Sequence, residues 1–184
     1  MTSTDFRPTR STGGQDRTPG QSSPHAYDVG LLVLRLALGL VMAAHGAQKL
    51  FGWFDGGGLA GTEAFFDSVG YPAAGTMALV AALTETFGGL ALALGVLTPL
   101  AGAAVFGTML NALAVKWGGG FFGPQGVEYE LVLVALAAGL TLTGPGRLAL
   151  DRALPVLREH RLRHGFGAVV LGAVVAGVIL LIRG

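Results

Sequence analysis

Apolar residues run along this chain in long continuous blocks, and the short stretches between the blocks hold almost every charge. The blocks cover about 29–47, 72–97, 100–115, 128–143 and 165–182. Runs of this length without alternation read as helices that cross a bilayer rather than as strands or soluble core helices. Asp28 is the expected N-cap of the first helix, and Pro72 suits the first turn of the second. Thr98-Pro99 turns the chain into the third, and Gly144-Pro145-Gly146 stops the fourth. The third and fourth blocks give only about 22–25 Å of helix against a hydrocarbon core of roughly 30 Å. Reading them as spans requires longer neighbours to shelter them, or extension through Trp117 and Tyr129. The pattern predicts an all-α integral membrane protein: a four-helix transmembrane bundle plus a fifth C-terminal transmembrane helix.

Composition supports the bilayer. Of 184 residues, 52% are hydrophobic and 12% are charged, about half the charged share of an ordinary soluble domain. Residues 1–28 are polar and rich in Ser, Thr, Gly and Pro, which predicts a disordered cytoplasmic tail. Residues 153–184 form a basic linker and the fifth helix. If the N-terminus is cytoplasmic, Arg7, Arg10, Arg17, Arg147, Arg152, Arg158, Arg161 and Arg163 lie inside. Only Lys49, Lys116 and Arg183 then lie outside, and this asymmetry favours an N-inside orientation with the C-terminus outside for five spans. A net charge of +1 gives no field for nucleic acid, so no nucleic-acid partner is expected. The absence of cysteine excludes thiolate metal ligands and thiol relays from the chain itself. Redox chemistry would therefore use a bound cofactor or a partner protein.

Ionisable residues inside a span are costly, so each is a candidate site. Arg35 in the first helix and Glu85 in the second are expected to form an intramembrane ion pair, acting as a packing pin or as a proton or head-group site. Arg35, Gly39, Met42, Gly46 and Lys49 share one face of the first helix, and Ala78, Ala81, Glu85, Gly88 and Gly95 recur at similar spacing on the second. Facing stripes of small residues predict close packing there. A second polar group is expected near the outer surface: His45, Gln48 and Lys49 with Asn111, Lys116, Glu128, Tyr129 and Glu130. His45 can exchange protons near neutrality, while the acidic residues also suit a helix N-terminus. Glu128 and Glu130 diverge on a helix, so no metal site is expected.

Two outer connections combine aromatics with glycine, Phe51 to Phe66 and Trp117 to Gly123. They read either as a head-group belt or as flaps over an outward-facing pocket. On the last helix, Ala168, Gly172 and Ala176 form a small-residue face suited to packing within the chain or to contact with a partner or second copy.

Several motifs in order resemble the DoxX family of small membrane proteins. They are Arg35 and Gly39, the run His45-Gly46-Ala47-Gln48-Lys49-Leu50-Phe51-Gly52-Trp53, then Thr84-Glu85-Thr86-Phe87-Gly88-Gly89 and Gly120-Phe121-Phe122. Tyr129-Glu130 and Leu142-Thr143-Gly144-Pro145-Gly146-Arg147, with Asp151 after it, complete the set. The resemblance covers about 30–152 and implies a DoxX-like four-helix membrane domain over 29–152, in a bacterial or archaeal cytoplasmic membrane. It also implies association with quinone-linked redox or stress-protection complexes, and supplies no catalytic residue set to carry over. Two readings stay open. One is a redox subunit, aided by a partner protein, that binds a quinone at the outer polar group, with His45 and Glu130 or Glu128 exchanging protons. The other is a non-enzymatic scaffold, or a carrier of a small solute or lipid.

Overall fold

The computed structural model describes residues 24–153 and 161–183, and is all-α among them. Helix α1 is Pro24–Phe51, α2 Gly58–Ser68, α3 Ala74–Leu94, α4 Thr98–Lys116, α5 Glu128–Thr143 and α6 Leu162–Ile182. Short 3-10 turns follow α4 (Trp117–Gly119) and precede α6 (Leu150–Ala153). The tail expected at 1–28 falls largely outside the described residues, as does 154–160 of the basic linker.

Among the described residues, four helices are long and apolar enough to cross a membrane: α1, α3, α4 with its 3-10 extension, and α6. This corrects the expected bundle of four plus a fifth span. Helix α5 starts and stops where its sequence block does, but its 16 residues give roughly 24 Å, short of the hydrocarbon core. It is a short helix that turns the chain back while packed on α4, α6 and α1. The C-terminal helix α6 is a full span, and its Arg183 end lies against Val69, at the end of the bundle opposite Asp28.

Other boundaries shift for local reasons. Helix α1 begins ahead of Asp28, so that residue is not its cap. The Asp28 carboxylate instead accepts a hydrogen bond from Arg147 N at 2.8 Å. The connection after α1 contains the helix α2, which its glycine-rich start concealed. Ala73 and Leu97, at the entries to α3 and α4, both have φ of 48°, a left-handed conformation uncommon for side chains with a Cβ. At Leu97 the strained turn is held by Asp151, whose carboxylate accepts from Leu97 N at 2.7 Å and Thr98 N at 3.0 Å. Asp151 is thus the cap that α4 needs for its first N–H groups.

The most extensive interface is α1 on α3. A Cβ added to Gly39 would stand 2.5 Å from Gly89 O, and one on Gly89 would stand 2.6 Å from Gly39 O. The two backbones touch because neither position has a side chain. Gly88 faces α4 instead: a Cβ added there would stand 3.2 Å from Val105 Cγ2. Behind this seam Leu38, Met42, Leu92, Val105, Phe106 and Leu140 form the core between α1, α3, α4 and α5. The outward sides of α1, α3 and α6 carry Val33, Leu40, Phe87, Val174 and Leu181, more than half exposed, an apolar coat for hydrocarbon to solvate.

Candidate functional site

The antiparallel α1–α3 seam decides which charges meet. Gly46 lies against Thr86, and Arg35 lies against Gly95. Arg35 is therefore ten residues, roughly 15 Å, further along α3 than Glu85, and the expected Arg35–Glu85 pair does not form. Glu85 instead takes Lys49, with Nζ to Oε2 at 2.6 Å, and its side chain is 4% exposed. Arg35 is fully buried at the opposite end and donates through Nη2 to Leu148 O. It fixes the turn that carries Asp151, which also takes its N–H to Gly95 O at 2.9 Å. Arg35 is a packing element at one end of the bundle, and Glu85 belongs to a site at the other.

That site is a cavity of about 500 Å³. Its walls come from α3, α4 and α6, with α1 and α5 at the polar end and Phe65, Phe66 of α2 over the mouth. Of the outer residues expected to assemble, His45, Lys49, Asn111, Lys116, Tyr129 and Glu130 line it, joined by Glu85. Two do not. Gln48 donates to Phe54 O at 3.2 Å, and Glu128 accepts from Gly123 N at 3.2 Å to brace the loop before α5. Of the two aromatic connections only the first covers the cavity; Trp117, Phe121 and Phe122 point away, more than half exposed.

The polar end holds two ion pairs and a hydroxyl–imidazole contact. Lys116 Nζ donates to Glu130 Oε1 at 2.9 Å, while Glu130 Oε2 is buried with no hydrogen-bond partner. His45 Nε2 and Tyr129 OH lie 2.9 Å apart. Burial, then the neighbouring Glu130 and Glu85 carboxylates, push the Tyr129 phenol above its ordinary pKa, so it stays a neutral donor. Each lysine ammonium spends one N–H on its carboxylate and can offer others to a ligand. The rest of the lining is mostly apolar, with Tyr71, Thr84, Thr108 and Asn111 interspersed, a combination suited to a lipophile with a few hydrogen-bond acceptors.

Sequence reasoning missed Tyr71 and the role of α6. Tyr71 OH donates to Asn111 Oδ1 at 3.1 Å, and Asn111 Nδ2 reaches Gly107 O at 3.1 Å and Ala176 O at 3.5 Å. Arg183 Nε donates to Val69 O at 2.8 Å, with its guanidinium 5.6 Å from the Tyr71 ring centre. The end of α6 thereby latches the segment after α2 across the cavity. Ala168, Gly172 and Ala176 are buried within the chain, not left for a partner. A Cβ on Gly172 would stand 2.6 Å from Ala103 O of α4, so α4 occupies the small-residue face.

A multi-pass helical membrane protein with a charge-paired, apolar-walled cavity is what this arrangement defines. Residues 30–117 match the DoxX family. The chain is also similar to a Bacillus subtilis (strain 168) protein, "Putative oxidoreductase CatD", being 34% identical over 127 residues, 68% of this chain and 87% of that protein. The chain belongs to the DoxX family. No solved structure matches it.

Proposed function

We propose that the chain is the lipophile-binding membrane subunit of a redox system, and that its ligand is a quinone. One observation carries this: an apolar cavity whose only strongly polar end combines two Lys–Glu pairs with a Tyr–His contact. Lys49 and Lys116 would hold carbonyl oxygens. Tyr129 and His45, 2.9 Å apart, would pass protons to and from the head. Electrons would come from a partner protein, in keeping with a relative whose name describes an oxidoreductase. We place the Asp28–Arg147 end on the cytoplasmic side, because arginines are concentrated in the tail and around residues 147–163.

The test is mass spectrometry of lipophiles and proteins that copurify in mild detergent. A stoichiometric quinone in the wild type that is lost in the Lys49→Met/Glu85→Leu double variant supports the reading. A stable protein partner with no quinone would leave a non-enzymatic scaffold as the better account.

A further inference from the structure

Helices α3 and α6 both pack on α4 but have at most marginal contact with each other. A slot is left between them, floored by one face of α4. Leu100, Ala104 and Thr108 stand four residues apart on that floor and line the cavity. Ala104 is exposed, and the Thr108 hydroxyl donates to Ala104 O at 3.0 Å, so its hydrogen is already used. Val80 of α3 and Val175 of α6 form the walls, on helices whose outer sides are bare hydrocarbon surface. The slot is continuous with the polar end, where the Asn111–Tyr71 bond and the Arg183 latch bring α2 across the aqueous side. The cavity is thus covered at its polar end by the segment after α2 and bordered along the slot by exposed apolar helix faces.

We infer that the slot is a lateral portal from the bilayer, and that the ligand is an amphiphile with one hydrocarbon tail and an uncharged, acceptor-bearing head. This rests on the reading of the cavity as a lipophile site and adds the route and the class of molecule. From Leu100 to Asn111 the floor runs roughly 16 Å, room for a tail along α4 once the head has reached the lysines. The head is uncharged because each cavity lysine is already neutralised: Lys49 by Glu85 and Lys116 by Glu130. A charged head would leave an unpaired charge in a low-dielectric pocket.

The full chain in lipid nanodiscs tests this with hexadecanol carrying a photoreactive diazirine on its tail, crosslinked sites being mapped by mass spectrometry. Labelling is expected to concentrate on α4 around Ala104–Thr108 and on Val175. It should fall to the level of the outer face of α1 in Ala104→Trp and persist in Ala104→Ser. Val175→Trp blocks the slot from its other wall and replaces Ala104→Trp if that variant does not fold. Even labelling of all lipid-facing helices, or labelling unchanged by both blocks, overturns the portal. Equal labelling by the palmitate analogue overturns the uncharged head. Competition separates the two levels: loss of label with decyl-benzoquinone but not with tail-less benzoquinone upholds portal and quinone together. Slot labelling indifferent to decyl-benzoquinone keeps the portal and counts against the quinone.

Discussion

Glu85 is the residue on which the polar end turns, since its buried carboxylate is what makes Lys49 tolerable in the bundle. Removing one member of a buried pair costs about 3–5 kcal/mol; Lys49 keeps some exposure, so Glu85→Ala is expected to cost about 2 kcal/mol. Thermal unfolding in detergent checks this, and the Lys49→Met/Glu85→Leu double variant should recover most of the loss while failing to bind ligand. A second expectation concerns Tyr129. Burial leads, and the Glu130 carboxylate comes next in raising its phenol, so Glu130→Gln should shift the ultraviolet titration of phenolate to lower pH without reaching that of a free tyrosine. An unchanged titration would mean that Glu130 exerts no field at Tyr129. These charges were all visible in the sequence, and their pairing was partly legible. With the stripes run antiparallel and Arg35 beside Gly95, Lys49 falls about one turn beyond Glu85, near Ala81, and meets the carboxylate through its long stem. Matching Arg35 to Glu85 by sign alone overlooked that register.

At the scale of elements, the α1–α3 seam depends on bare backbone at Gly39 and Gly89. Gly39→Ala should cost about 1–3 kcal/mol, as overpacking does in tight interiors, whereas Gly30→Ala, with nothing within 4 Å of its Cβ, should be near neutral. Unfolding midpoints of the two variants measured side by side decide this. Helix limits for α4 and α5 followed from Thr98-Pro99 and from the Gly144-Pro145-Gly146 stop, because these are local backbone effects. Helix α2 was not legible, since its glycines look like loop and its stability comes from packing on α3 and α1. Nor did periodicity separate a short returning helix from a span: after Glu130 α5 is as apolar as its neighbours, and its length distinguishes it.

For the whole molecule, orientation is the property most open to a direct measurement. With no native cysteine, single cysteines can be introduced at the exposed positions Asp55 and Ala153 and treated with a membrane-impermeant thiol reagent in intact cells. Asp55→Cys should react and Ala153→Cys should react only after permeabilisation; the reverse pattern would invert the proposed sidedness. Helix α6 lies beyond the residues that match the family, takes no part in the α1–α3 seam, and yet forms one wall of the cavity and latches its cover. On the proposed reading, the cavity-lining side chains of α6 can set ligand choice without touching the α1–α3 seam. A chimera that exchanges only the cavity-lining Leu171, Val175 and Ile179 and keeps the buried Ala168, Gly172 and Ala176 would retune what the pocket admits while leaving the scaffold that holds the lysines intact.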